Sequence, residues 1–380
     1  MVPKDQTLGV RTWIEIDTQA IKANSAAFRN LIGPKVKMMA VVKSNAYGHG
    51  LVDFSKRAVE YGADWLGVDS ITEGLRLRRE GITIPILVLG YTLPEMIEQA
   101  VEGGISITVS HLSHLDAIEK LNLPKKVNIH VKVDTGMYRQ GFIETGRDEV
   151  LKKLSELKDR VEVQGLFTHF SSAKNPAFPN YTQGQIKKFE EWRKAFLDAG
   201  YTPIIHAAAT SGTILFPEAH YDMVRIGIGM YGLWPSAETK AFAEDRLPLK
   251  PVLSWKTVIG ETKQLPKGSK ISYDGTETLA RDSVVAVCPI GYWHGFSRKL
   301  SSIGRVLVNG KRAKVLGRVA MDMIVIDLTD CGPVEGGSEV VLIGEQKGEK
   351  LTAEDMAYLD ETSWYETITR INPLIRKIHF

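Results

Sequence analysis

The chain has 380 residues, 43% hydrophobic and 24% charged, with a formal net charge of +3. That is more chain than one hydrophobic core usually serves, so two domains are expected. Lysines and arginines are scattered, which argues against nucleic acid as the main partner; no apolar run approaches a membrane span; and two cysteines, Cys288 and Cys331, make neither a disulfide framework nor a metal cluster.

The opening residues, MVPKDQTLGVRT, lack a signal-peptide core, so a cytoplasmic soluble enzyme is the default expectation. Residues 12–16 alternate like a strand, and Asp17 caps a helix that runs to about Leu31, with Gly33-Pro34 as its stop. Strands are then expected over 36–42, 64–68, 85–89, 105–109, 127–133, 161–167, 203–206 and 223–225. Helical patterns lie between them at 51–61, 71–79, 93–101, 111–120 and 149–157. The clearest is 185–199, with Ile186, Phe189, Trp192 and Phe196 on one face. Eight strands, each followed by a helix or helical turn, predict an N-terminal (β/α)₈ TIM barrel. A doubly wound open sheet is the runner-up, but no GxGxxG turn follows the first strand.

After about Pro235 comes a charged connector, then short alternating runs at 252–261, 283–288, 305–315, 323–328 and 339–343. Turns such as Asn309-Gly310 separate them, which predicts a mainly β-strand C-terminal domain. The expected division is 1–243 and 244–380, with the strand at about 11–16 open to packing with the second part. Helices are expected at 353–359 and near 364–371, before a short last strand.

Barrel active sites collect at the C-terminal ends of the strands. The first barrel strand runs into Lys43, a cation that must be solvated, paired or chemically used. A surface lysine satisfies that pattern; so does an amine that condenses with aldehydes. Other strand ends carry Asp134 with Arg139, then Thr168-His169, then His206, then Arg225. On strand 127–133 the alternation turns Asn128, His130, Lys132 and Asp134 to the face opposite four apolar residues. In a barrel that face points inward, and Lys132 becomes a buried cation in need of a partner or of neutralisation. Gly227-Ile228-Gly229 and Thr210-Ser211-Gly212 offer backbone N–H groups and hydroxyls for a phosphate. Tyr273 falls in the β domain, beside a turn.

The segments AVVKSNAYGHG, VKVDTGMYRQGF, LFTHFSSA, VRIGIGMYGL, ISYDG, IGYWHG and LGRVAMDM, in this order, resemble the alanine racemases. These are fold-type III enzymes that use pyridoxal 5′-phosphate (PLP). The resemblance covers nearly the whole chain. It implies that Lys43 carries PLP and that Tyr47, Thr210, Gly227 and Ile228 hold its phosphate. Arg225 would face the pyridine nitrogen, with His206 beside it, and Arg139 would meet the phenolic oxygen and the substrate carboxylate. Tyr273 would be a second catalytic base, supplied to the active site of the partner in a homodimer, with His169 bonded to it. Met321 would help bind the carboxylate, and Tyr292 would narrow the entrance. Lys132 would be carbamylated (N6-carboxylysine) and pair with Arg139.

The activity implied is two-base interconversion of L-alanine and D-alanine, feeding D-alanine to cell-wall peptidoglycan. Lys43 would serve the D-enantiomer and Tyr273 the L-enantiomer, each with a pKa low enough to act near neutrality. A serine or broad-specificity racemase of the same family is the alternative. A related decarboxylase is disfavoured by Arg225, since an acidic residue takes its place there, and a single-barrel PLP carrier needs no second base. Four positions depart from the family pattern: Ala209-Thr210 for asparagine–serine, Asp274-Gly275-Thr276-Glu277 after Tyr273, Trp293-His294 in the entrance motif, and Pro373 where some members have a tyrosine.

Overall fold

The structure is a computed structural model describing residues 7–380. They fall into two compact units. One comprises Ala20–Ala46 and Leu51–Lys250; the other comprises the chain up to Gln19, Tyr47–Gly50 and Pro251–Phe380. The first strand, β1 (Thr12–Ile16), belongs to the second unit, where it pairs with strands far along the chain.

In the first unit, eight strands among the described residues run parallel: β2 (Lys37–Val41), β3 (Trp65–Val68), β4 (Ile86–Val88), β5 (Ser106–Val109), β6 (Val127–Lys132), β7 (Val161–Phe167), β8 (Ile204–His206) and β9 (Met223–Ile226). Their order is β8-β7-β6-β5-β4-β3-β2-β9. Between β8 and β9, Asp222 N–H donates to Ile205 O (3.1 Å) and Arg225 N–H to Ala208 O (3.0 Å), in place of a full ladder. The result is the nearly closed (β/α)₈ barrel that the strand–helix alternation predicts. Strands β3, β4 and β5 are buried throughout, as expected where side chains on both faces are covered. Met39, Trp65, Leu87 and Met223, from four strands, form one buried cluster.

The helix expected at 185–199 spans Asn180–Asp198. Its first turn, before the expected start, continues the buried face in a polar residue, Thr182. The pattern at 93–101 resolves into a 3₁₀ turn, Pro94–Met96, and the helix Ile97–Glu102, since Pro94 supplies no N–H.

Among the described residues the second unit holds a ten-stranded sheet. Its strands beyond β1 are β10 (Leu253–Val258), β11 (Glu261–Leu265), β14 (Ser283–Cys288), β15 (Arg305–Val308), β16 (Lys311–Leu316), β17 (Ile324–Asp327), β18 (Glu339–Gln346), β19 (Glu349–Leu351) and β20 (Arg376–His379). The short pair β12 (Lys270–Ile271) and β13 (Glu277–Thr278) stands apart. The run expected at 252–261 divides because Ile259 N–H donates to Ser338 O and Gly260 N–H to Val287 O, so the chain changes partner there. Asn309 (φ 52°) and Gly310 (φ 74°) make the two-residue turn of the β15–β16 hairpin. β1 pairs antiparallel with β10 and parallel with β20.

One close approach in the barrel is testable. Gly165 lies opposite His130 in the β6–β7 register, and a Cβ there would fall 2.0 Å from His130 Nδ1. Gly165→Ala should cost about 1–3 kcal/mol, as overpacking does, seen as a lowered thermal midpoint. An unchanged midpoint would mean that the imidazole does not occupy this position.

Candidate active site

The strand ends bring Lys43, Lys132, Arg139, His169, His206, Thr210, Arg225, Gly227 and Ile228 to one rim of the barrel. β2 pairs with β9, Met39 opposite Arg225 and Ala40 opposite Ile226, so the segment carrying Lys43 leaves its strand beside the Gly227 loop.

Arg225 is the centre of this rim. It is 3% exposed, and burial makes an unpaired charge very costly. Its guanidinium donates to Thr168 O (2.8 Å), Ala207 O (2.8 Å), His206 Nδ1 (2.9 Å) and His169 Nδ1 (3.2 Å). Arginine has only donors, so both histidines must accept at Nδ1 and carry their proton at Nε2. His206 Nε2 then donates to His130 Nδ1 at 2.9 Å, which fixes a third tautomer. Burial, then the charge of Arg225, drives His206 and His169 well below the ordinary imidazole pKa and His130 to about 3. All three rings are neutral at pH 7. Burial and Arg139 pull Arg225 down to about 9, which still leaves it charged.

The Phe167 ring, 2% exposed, serves both buried cations of β6 and β9. Arg225 lies 5.3 Å from its centroid, Lys132 Nζ lies 5.5 Å away, and His206 stacks on it at 4.7 Å. Lys132 points inward as the strand alternation predicts, and its amine donates to Gln140 Oε1 at 3.0 Å. Burial, then Arg139 and Arg225, lowers Lys132 to about 7. Near neutrality this amine is therefore partly unprotonated. Neighbouring Asp134 is pushed up by burial, but backbone N–H groups of Gly136, Met137 and Arg139, at 2.8–3.0 Å, hold it low and shape the turn that carries Arg139.

Thr210 begins the helix Thr210–Leu215, and its Oγ1 accepts from Gly227 N (3.1 Å) and Gly229 N (3.4 Å). With its acceptor side used, the hydroxyl proton remains to be donated to an anion. The departure at Ala209-Thr210 thus keeps a hydroxyl acting on the glycine loop.

Lys43 is part-exposed (38%) and pairs with Asp69 at 3.1 Å. The ordinary reading of a solvated, paired lysine therefore holds for its charge, but the backbone beyond it is unusual. Ser44, Asn45, Ala46 and Tyr47 all have φ between 50° and 56°. Left-handed residues with a Cβ cost roughly 1–2 kcal/mol each, and strain of this kind concentrates at functional sites. Ala46 N–H bonds back to Val42 O at 2.8 Å, and Tyr231 Oη donates to Val41 O at 2.8 Å.

In the second unit, Tyr273, Tyr292 and Met321 line one cavity of about 450 Å³ with Arg298, Val319 and Ala320. Tyr273 is 68% exposed and sits in the turn Tyr273–Gly275. Ser272 Oγ donates to Arg318 O (2.7 Å), and Arg318 pairs with Asp274 (3.1 Å), so the turn is held from both sides. Glu277 pairs with Lys314 at 2.7 Å. The two acidic residues that depart from the family pattern are thus both partnered locally. Tyr292 N–H donates to Ala320 O and Trp293 N–H to Met321 O, which ties the Tyr292–His294 segment to the Met321 segment.

Phe167 and Gln140 lie within quoted motifs without a role assigned from sequence, and Asp69 and Glu73 lie outside every motif; all four meet the site through the fold. His130 was visible only as one of the inward residues of its strand. Among the described residues no group of three or more His, Cys, Asp or Glu side chains is placed to hold a metal.

Family models for "Alanine racemase, N-terminal domain" and "Alanine racemase, C-terminal domain" match residues 16–235 and 252–379. The alanine racemase of Symbiobacterium thermophilum is 42% identical, covering 97% of both chains. That of Methanococcus maripaludis is 41% identical, covering 97% of this chain and 98% of its own. Among solved structures, alanine racemase from Bacillus anthracis with bound L-Ala-P superposes with a TM-score of 0.91 at 38% identity, covering 97% of this chain and 95% of that one. Two matched domain models and end-to-end relatives at these identities show that this chain belongs to the alanine racemase family, whose reaction is an isomerisation.

Proposed function

We propose that this protein interconverts L-alanine and D-alanine with PLP as cofactor, acting as a homodimer. The observation that carries the reading is the buried Arg225–His206–His130 chain, which shares a barrel rim with Lys43 and the Thr210–Gly227 anion loop. The donor set fits PLP: a primary amine for its aldehyde, the Thr210 hydroxyl proton beside the glycine loop it organises for its phosphate, and a fixed guanidinium for its ring nitrogen. Lys43 would hold the cofactor, with Tyr47, Thr210, Gly227 and Ile228 at the phosphate. When bound, PLP withdraws electrons from an attached amino acid and acidifies its Cα–H.

The rest of the reaction is proton handling by the chain. The Lys43 amine would take or return the Cα proton on one face, and Tyr273 of a second copy would do so on the other. The 68% exposure of Tyr273 supports its being offered outside its own subunit. His169 accepts from Arg225 at Nδ1, so its Nε2–H would be the group that donates to the oxygen of Tyr273 from the second copy. Arg225, charged and unable to take a second proton, would keep the ring nitrogen unprotonated and limit side reactions. Arg139 and Met321 would bind the substrate carboxylate, and Tyr292 would narrow the entrance. The proposed setting is the cytoplasm, with D-alanine passing to peptidoglycan. No helix among the described residues is long and apolar enough to cross a membrane.

Lys132 would carry a carbamate. Its lowered pKa supplies the neutral amine, which attacks CO₂ and releases one proton, and the resulting anion would pair with Arg139.

Protein with PLP and L-alanine in deuterated water should lose optical rotation and gain deuterium at Cα; absence of both would overturn the reading. Relative rates on alanine, serine and lysine should favour alanine. Lys43→Ala should abolish the visible absorbance of the lysine-bound cofactor. Tyr273→Phe should keep that absorbance while cutting turnover by about 10²–10⁴-fold, the usual share of a general base. For Lys132, ¹³C-bicarbonate should give a carbamate NMR signal that is absent from Lys132→Ala. Because the reactive form is the unprotonated amine, the signal should grow as pH rises through about 7 and fade below it. A signal insensitive to pH, or one that survives the substitution, would place the carbamate elsewhere.

A further inference from the structure

The left-handed turn after Lys43 needs something to hold it, and one side chain outside the motifs does so. Glu73 lies in the first turn of the helix Ile71–Arg79, half-buried. Its Oε1 accepts from Asn45 N–H at 3.2 Å, inside the left-handed run, and its Oε2 accepts from Asp69 N–H at 2.8 Å. Asp69 in turn pairs with the Lys43 amine. One carboxylate therefore bridges the backbone that follows the lysine and the backbone that carries its ion-pair partner. Neither contact is needed to cap the helix, since Ser70 Oγ already accepts from Glu73 N–H at 3.3 Å. The surroundings leave little slack. A Cβ on Gly90 would lie 2.3 Å from Asp69 O, and Asn45 Oδ1 takes Leu51 N–H at 3.0 Å.

We propose that Glu73 is a positioning residue for Lys43: its two carboxylate oxygens clamp the left-handed turn to the Asp69 loop and so aim the amine at the cofactor aldehyde. The inference rests on Lys43 being the cofactor lysine. Lys43 is bracketed by strand on one side, where Val42 N–H bonds to Gly67 O at 2.8 Å, and by the strained turn on the other. Without the clamp the turn is free to relax to right-handed backbone, and the lysine loses its direction. A carboxylate is required because both partners are donors; an amide has only one accepting atom and sets an N–H against an N–H.

The test compares Glu73→Gln and Glu73→Ala with Ser70→Ala, which weakens the same helix end without touching Asn45. Two readouts are used: amide hydrogen exchange over residues 43–47 and 69, and the rate at which PLP leaves the protein, followed by its visible absorbance. Both Glu73 variants should speed exchange there and PLP loss by about tenfold or more, the scale of a charge-assisted bond, with Ser70→Ala near wild type. Glu73→Gln, nearly isosteric, keeps the test valid if Glu73→Ala does not fold. Unchanged exchange in the Glu73 variants, or equal effects from Ser70→Ala, would overturn the proposal. A wild-type protein with no Lys43-dependent absorbance would instead overturn the cofactor reading, and hydrogen exchange would still decide the role of Glu73.

Discussion

A guanidinium enclosed in a barrel must be given acceptors by the barrel itself, and that requirement organises this site. Arg225 can only donate, so every group around it must accept. Two carbonyls at the ends of β7 and β8 turn toward it, and two histidines present Nδ1. The protons of three rings are thereby placed without any titration at neutral pH. A single fixed charge thus sets the polarity of the whole rim: His169 offers a donor outward, and His206 and His130 carry the chain inward. Lysine in place of Arg225 would lose the planar fork that reaches four acceptors at once.

The second constraint is stored in backbone. Four consecutive left-handed residues, none of them glycine, follow Lys43, and their cost is set against bonds from Val42, Glu73 and Asn45. Such a turn reverses the chain within a few residues of the strand end. The lysine is thus held at the rim while the chain leaves for the next helix. Lys132 obeys a related logic, since the barrel encloses an amine that water would keep charged. Its lowered pKa follows from enclosure beside two guanidinium groups, and its partner, Gln140, is a neutral acceptor rather than an acid.

The departures from the family pattern also have physical meaning. Thr210 retains the one atom that the glycine loop uses, an acceptor oxygen, so loss of the preceding amide leaves the loop held. The acidic residues after Tyr273 are neutralised by Arg318 and Lys314, so they stiffen the turn without adding an unpaired charge beside the phenol. Trp293 and His294 depart in side chain only, since the backbone of their segment remains bonded to the Met321 segment.

The barrel, the β-rich second half and the rim residues were all legible along the chain. Hydrophobic alternation and strand-end position are local properties, and the placement of charged and polar side chains at strand ends follows from them. The inward turn of Lys132 could be read from a period of two, and the Asn309-Gly310 turn from its residue types. Thr182 hid the start of its helix because a buried polar residue mimics an exposed one in a pattern. Tertiary structure alone decided which acceptors Arg225 receives, that Phe167 lies against two cations, that β1 joins a sheet built more than 200 residues later, and that Glu73 reaches the turn beyond Lys43. The physical reason is shared by all four. Satisfying a buried charge or a strained turn depends on groups from other strands and helices, and sequence spacing carries no record of those distances.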